Sequence, residues 1–215
     1  MAKTPGNDYF VNHRRGRRFP WTLYHAPLEA SLAGFLSDVG RRGEAATTEV
    51  LVIGGGLLHE LDLAPGNLRM TVIDIDPRAI EMVQSLRDPR VVTARVIDPD
   101  ELPTVLGKQF DAVYAKEVIE HIVPWQGYLR AVHDILRPGG RLWLSTPNYG
   151  EPWLPILEQT VLEVIARLSG FTRKGLHPSK LSQKTLRRGL LDAGFSNITV
   201  QPIARRLALV ATASA

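Results

Sequence analysis

Glu117, Glu120 and His121 stand together in the run KEVIEHI, two carboxylates and an imidazole within five residues. On an α-helix the i, i+3, i+4 spacing would bring all three to one face. Such a set can hold Mg²⁺ or Mn²⁺ through oxygen and imidazole ligands. Without a metal, an imidazole titrating near neutrality can take a proton from an oxygen nucleophile, and His121 is the first choice for that base. His25 and Tyr149 are the alternatives. The plainer reading is that one carboxylate caps a helix while the others face solvent.

A second constellation lies upstream. In LVIGGGLLHEL, Gly54, Gly55 and Gly56 end a run of aliphatic and β-branched residues. Glycine at a strand end lets the backbone approach a ligand and adopt positive φ. Asp74 closes the next apolar run, 20 residues after Gly54. An acidic residue at about that distance accepts both hydroxyls of a ribose. A dinucleotide would want a third glycine to seat its pyrophosphate, and that position is His59. A cofactor lacking pyrophosphate removes the need, and S-adenosylmethionine, an adenosine joined to a sulfonium amino acid, is one. The third apolar run ends in IDPDELP, where Asp98 is placed to accept a hydrogen bond from an adenine amino group.

These residues need a scaffold that brings strand ends together, and the pattern supplies one. Residues 27–39 place Leu28, Leu32, Phe35, Leu36 and Val39 at helical spacing. Strands are predicted at 49–54, 69–75, 90–97, 110–116 and 140–147, separated by a short helix in LLHELDL, a helix opened by Pro77, and a helix over WQGYLRAVHDILR that Pro138, Gly139 and Gly140 should stop. Such alternation implies a parallel sheet covered on both faces. A helix at 182–193 and two strands, NITVQPI and RLALVATAS, follow, and the short link at Ala204 to Arg206 makes the last pair antiparallel. The expected fold is therefore α/β, a Rossmann-like three-layer sandwich on a mostly parallel seven-stranded sheet with an antiparallel last strand. Residues 149–181 exceed an ordinary connection. Leu157, Val161, Val164, Ile165 and Leu168 in WLPILEQTVLEVIARLSGF suggest an extra helix forming an apolar lid or insertion, a dimer contact or a plain core helix.

With 215 residues, 44% of them hydrophobic and 22% charged, the chain suits one domain, read as 21–215, behind a basic arm at 1–20. The absence of cysteine excludes disulfides and thiolate metal sites and fits a cytoplasmic location. No uninterrupted apolar stretch predicts a membrane span. Arg14, Arg15, Arg17 and Arg18 carry much of the net charge of +4 and could grip phosphates, or form a solvated leader.

Taken together, VLVIGGG, VIDIDPRAI, VIDPDELP, FDAVYAKEVIEHI, ILRPGGRLWLSTPN and TLRRGLLDAGF resemble, in order, the motifs of class I S-adenosylmethionine-dependent methyltransferases. The resemblance implies that Gly54 and Gly56 line the methionine portion, Asp74 holds the ribose, Ile75 packs on the adenine, Asp98 reads its amino group, and Ala115 and Lys116 lie near the methionine end. Two positions depart from the family pattern: Val52 stands where an acidic residue is usual, and Leu58 where a further glycine is usual. The E-x-x-E-H run also resembles that of metal-dependent 2′-O-methyltransferases of small RNAs and of some ubiquinone-pathway O-methyltransferases; by the first likeness His177 would be a fourth ligand beside Glu117, Glu120 and His121. The expected function is methyl transfer from S-adenosylmethionine to a small molecule, oxygen favoured. The alternatives are a metal-dependent RNA methyltransferase, a polyamine aminopropyltransferase using decarboxylated cofactor, and a non-catalytic binding module.

Overall fold

The computed structural model describes residues 21–42, 47–56, 58–98, 101–102, 107, 109–168 and 175–215. The arginine-rich arm lies outside them. Seven strands form one sheet: β1 (Thr48–Ile53), β2 (Leu68–Asp74), β3 (Val91–Val96), β4 (Phe110–Lys116), β5 (Leu136–Pro147), β6 (Ser196–Ile203) and β7 (Ala208–Ser214), in the order β3-β2-β1-β4-β5-β7-β6. β7 runs antiparallel to both of its neighbours and the other pairings are parallel. The expected architecture is thus present.

Alternation along each strand divides the core between two faces. Leu51, Ile53, Val113, Ala115, Leu142 and Leu144 point to the layer formed by α3 (Trp125–Asp134) and α6 (Gln183–Asp192). Val50, Val52, Met70, Val72, Tyr114 and Trp143 point to the opposite layer, built on α1 (Thr22–Arg42) and α2 (Pro77–Ser85). The predicted stripe of α1 is buried throughout, from Leu28 to Val39, and Trp143 Nε1 donates to Ser31 Oγ at 3.2 Å. α2 begins as predicted, with Pro77 at its first position and Asp76 capping the Arg78 N–H. Ser182 and Thr185 form a capping box at the start of α6.

One predicted boundary is corrected. Pro138, Gly139 and Gly140 do not stop α3. The helix ends at Asp134, and β5 is under way by Leu136. The Phe110 N–H donates to the Ile135 carbonyl at 2.9 Å and draws the chain into the sheet early. The Pro-Gly-Gly run sits in a register shift, between Leu136 opposite Phe110 and Arg141 opposite Ala112. Its backbone bonds the chain end, Gly139 N–H to Ala215 C=O and Ala215 N–H to Gly140 C=O.

The helix expected in 153–171 runs from α4 (Trp153–Leu157) through a π turn (Glu158–Leu162) into α5 (Glu163–Leu168). It is not a core helix. Of its described apolar side chains only Leu154 is buried, whereas Leu168 is 84% exposed and Trp153 70%.

After β1 the chain enters a short 3-10 helix (His59–Leu63) through Leu58, which adopts φ 47°, ψ 40°. The family's glycine is missing here, yet the backbone keeps the left-handed conformation that glycine favours. The Leu58 side chain is buried among the α1-facing residues. Replacing Leu58 with Gly should relieve about 1 kcal/mol of backbone strain and forfeit about 3 kcal/mol of burial and packing. Thermal unfolding should then fall by roughly 6 °C, and a rise would mean that strain outweighs packing at this turn.

A candidate cofactor cleft and an acid–histidine cluster

Strand order sets four groups side by side along the carboxyl edge of the sheet: Asp98 after β3, Asp74 at the end of β2, Gly54 to Gly56 after β1, and Lys116 at the end of β4. Gly54 and Gly56 take φ of 71° and 50°. A Cβ on Gly54 would stand 2.4 Å from Val118 Cγ2, and one on Gly55 would stand 2.4 Å from Val72 Cγ1, so close packing alone demands those two glycines. A Cβ on Gly56 would meet nothing nearer than the Gly54 carbonyl oxygen at 3.9 Å, so packing leaves room at this residue. Its N–H donates to Asp74 Oδ2 at 3.0 Å, while Asp74 Oδ1 accepts from the Asp76 N–H at 2.8 Å. Burial pushes the Asp74 carboxyl up, and the two backbone donors offset part of that. Each oxygen keeps acceptor capacity for a further donor. Ile75 beside it is 48% exposed, a large apolar side chain at the carboxyl edge of the sheet, and Asp98 is also exposed. Ala115 is buried in the sheet and can offer only backbone.

Beyond β4 the E-x-x-E-H run is not one helical face. Glu117 lies in a left-handed turn at φ 56°, and only Ile119–His121 form a 3-10 turn. Glu117 accordingly parts from Glu120 and His121, which stay together. Glu117 turns toward α1, where Tyr24 Oη donates to Oε2 at 2.7 Å and Ser145 Oγ donates to Oε1 at 2.9 Å. Although half-buried by surface area, it lies deep enough that desolvation raises its carboxyl, and those two donors pull it back. Glu120 is 1% exposed, and its Oε2 has no hydrogen-bond partner among the described residues. Burial first, and the Glu117 charge second, push the Glu120 carboxyl well above the ordinary range. Burial thus opposes ionisation at both acids, and more strongly at Glu120, which lacks the two donors that Glu117 has.

His121 and His177 meet over Glu120. Segment 175–181 returns onto the 3-10 turn through Ser179 N–H to Glu120 C=O, 3.0 Å, and Ser179 Oγ to Ile122 C=O, 2.5 Å. The Leu176 carbonyl accepts from His121 Nδ1 at 2.8 Å, which fixes the proton there and leaves Nε2 toward Glu120, 4.0 Å from Oε1. His177 Nδ1 lies 3.0 Å from Glu158 Oε1 and 2.6 Å from Tyr149 Oη, and that hydroxyl donates to Glu158 Oε2 at 2.7 Å. A proton on Nδ1 satisfies all three contacts. The two rings are 5.0 Å apart, and ligand atoms of Glu120, His121 and His177 fall within 4.8 Å of one another. Glu117, a sequence candidate for the same set, is not in that group. Tyr24, Ser145 and Glu158 were not legible as site residues, because each reaches the cluster from a separate segment.

A methyltransferase-domain family model matches residues 25–200. The chain belongs to that family. It is a methyltransferase, and its seven-stranded sheet order is the one expected above from the likeness to class I S-adenosylmethionine-dependent enzymes. It is 32% identical over 194 residues, 85% of this chain and 79% of the relative, to the ubiquinone biosynthesis O-methyltransferase of Xanthomonas axonopodis pv. citri (strain 306). It is 28% identical over 178 residues, 80% of this chain and 76% of the relative, to the enzyme of that name from Pseudomonas aeruginosa (strain UCBPP-PA14). Among solved structures, the magnesium protoporphyrin IX methyltransferase of Synechocystis PCC 6803, with S-adenosylhomocysteine bound, aligns over 97% of this chain and 94% of its own at TM-score 0.67 and 18% identity. The CurJ carbon methyltransferase aligns over 95% of this chain and 58% of its own at TM-score 0.73 and 18% identity. At that identity the likeness speaks for the fold of this methyltransferase.

The buried acid makes a pH-dependent signature. A carboxyl whose folded pKa lies above its unfolded value favours the fold at low pH, and that advantage is lost as pH rises through the folded value. Glu120→Gln removes an ionisation that burial opposes. Its melting temperature should exceed wild type by about 3 °C at pH 8, for roughly 1 kcal/mol, and the gap should close toward pH 5. A constant gap across that range would place the effect elsewhere than the Glu120 proton.

Proposed function

We propose that this methyltransferase transfers the methyl group of S-adenosylmethionine to a hydroxyl of a small-molecule acceptor. The observation that carries the cofactor half is Asp74, a carboxylate braced by two backbone N–H groups at the edge where packing leaves room at Gly56 and Ile75 is exposed. Asp74 accepts the ribose hydroxyls, Ile75 covers the adenine and Asp98 takes its amino hydrogen. The relatives named as O-methyltransferases support oxygen as the acceptor atom.

Methyl transfer is an in-line displacement: the acceptor oxygen attacks the methyl carbon, the carbon–sulfur bond breaks, and the sulfonium leaves as a neutral thioether. The leaving group is already good, so alignment and exclusion of water supply most of the acceleration. The acceptor must lose one proton. His121 Nε2, with its ring oriented through Nδ1 by the Leu176 carbonyl, receives it. The helix at 153–168 lies in the segment that selects the acceptor and presents it an apolar side.

A second reading has its own observation. The unpartnered Glu120 Oε2, together with two imidazoles that both engage Nδ1 and so direct Nε2 inward, fits a divalent cation. Glu120, His121 and His177 would hold it, with Glu158 and Tyr149 orienting His177. When bound, such an ion lowers the pKa of an acceptor hydroxyl. Because base and ligand roles both use His121 Nε2, the two readings exclude one another.

In calorimetry, Asp74→Ala should lose on the order of 2–4 kcal/mol of S-adenosylhomocysteine affinity, roughly 30- to 700-fold. Undiminished affinity would remove the ribose assignment. Mn²⁺ titrated into wild type should give no binding heat under the base reading, and activity should survive a chelator. Saturable Mn²⁺ binding that His177→Ala abolishes decides for the metal.

A further inference from the structure

Where this chain has Val52, its family usually has a carboxylate at the end of β1, and that raises the question of what meets the charged amino-acid end of the cofactor. Val52 is fully buried on the α1-facing side and pairs in register with Tyr114 of β4. A different carboxylate occupies this region. Glu60, in the 3-10 helix that follows the glycine loop, is 5% exposed and forms an ion pair with Lys116 Nζ. Lys116 is the last residue of β4, two residues beyond Tyr114 and on the same face of the sheet. Glu29 of α1 lies 3.8 Å from the same Nζ. The Tyr114 hydroxyl is buried without a hydrogen-bond partner among the described residues, and it is near enough to Glu60 for that charge to raise its pKa further beyond the effect of burial. A carboxylate, an ammonium and an unpartnered hydroxyl thus share one pocket behind the β1 and β4 ends.

Position along the sheet says what the pocket is for. Asp98, Asp74, the glycine loop and Lys116 follow successive strands. Adjacent strands are about 4.8 Å apart, so the row extends roughly 14 Å. With adenine at Asp98 and ribose at Asp74, the chain that continues from the ribose past Gly56 ends beside Lys116 and Glu60. That end is a zwitterion, one ammonium and one carboxylate.

We infer that Glu60 and Lys116 together bind the amino-acid end of the cofactor, Glu60 accepting the ammonium in place of the carboxylate absent at Val52 and Lys116 meeting the carboxylate. The inference rests on the cofactor reading above. No covalent step is involved: one internal ion pair opens and two form with the ligand. The pocket also selects. A decarboxylated cofactor presents no anion to Lys116 and leaves that ammonium without its ligand partner, so the site prefers the intact amino acid.

Three ligands that share the adenosyl thioether separate the contributions: S-adenosylhomocysteine carries both charges, S-adenosyl-3-thiopropylamine only the ammonium, and 5′-methylthioadenosine neither. Calorimetry on wild type should rank them in that order. Lys116→Met should lose tenfold or more for S-adenosylhomocysteine and nothing for the amine. Glu60→Gln should lose tenfold or more for both. Neither should change 5′-methylthioadenosine, which reports that the adenosyl site is intact. Single variants leave one charge of a buried pair behind, so the double variant, Glu60→Gln with Lys116→Met, guards against misfolding; it should bind all three ligands about equally. Equal losses across the three ligands, or unchanged ranking in the double variant, overturn the inference while the adenosyl site stands. Failure of wild type to bind any of the three overturns the cofactor reading itself and this inference with it.

Discussion

The pairing of β1 with β4 is the constraint on which the rest depends. The two strands lie parallel and in register from Val50 opposite Ala112 to Ile53 opposite Ala115, yet they are far apart in sequence. From β1 the chain moves outward to β2 and then β3, and only afterwards returns to begin β4 and move the other way. Connections on the two sides diverge, which opens a crevice at the carboxyl ends where the direction reverses. The glycine loop, Asp74, Lys116 and the Glu117–His121 segment all hang on that edge. Had β1 paired elsewhere, none of these groups would share a site, whatever their local conformation.

The acids after β4 show how the same edge separates chemical roles. Glu117 and Glu120 are three residues apart and both desolvated, but the fold supplies their donors unequally. Glu117 receives Tyr24 from α1 and Ser145 from β5, whereas Glu120 Oε2 receives no hydrogen bond among the described residues. Two adjacent buried carboxyls disfavour joint ionisation, and the better-solvated one takes the charge. Glu117 then seats α1 on the sheet edge through its bond from Tyr24. Its left-handed backbone is the kind of strain that persists where surrounding contacts over-determine it. Glu120, whose carboxyl burial holds well above the ordinary range, faces the imidazoles.

Most of the scaffold was legible because it rests on local pattern. The strands of the parallel sheet are near-continuous apolar runs, α1 shows its stripe, and the Ser182 and Pro77 starts follow capping chemistry. The reversed last strand was legible from the brevity of a single turn. What was not legible depends on long-range pairing. Pro138-Gly139-Gly140 reads as a helix stop by composition, but Phe110 and Ala215 draw its surroundings into the sheet. The E-x-x-E-H spacing reads as a helical face, and the left-handed turn at Glu117 takes that face apart. At Leu58 the sequence departs from its family while the backbone does not. By composition the apolar run at 153–168 fits a lid, a dimer contact or a core helix alike, and only the fold shows that its described apolar side chains stay mostly exposed.

Glu158 illustrates how that exposed helix joins the chemistry. The π turn spans Glu158–Leu162, and its first residue is the one that reaches Tyr149 and His177. A single wide turn changes the rotation between the segments before and after it, which is why such turns recur where a helix must aim one side chain without moving the rest. Here it aims a carboxylate inward from a helix whose described apolar residues mostly face outward. His177 depends on that carboxylate for the placement of its Nδ1 proton, and His121 depends on the Leu176 carbonyl, one residue away in the same returning segment. The orientation of both imidazoles is therefore set from outside the E-x-x-E-H run. Glu158 from the helix and Leu176 from the returning segment thus each hold one ring, so a shift of either would turn the imidazole it orients.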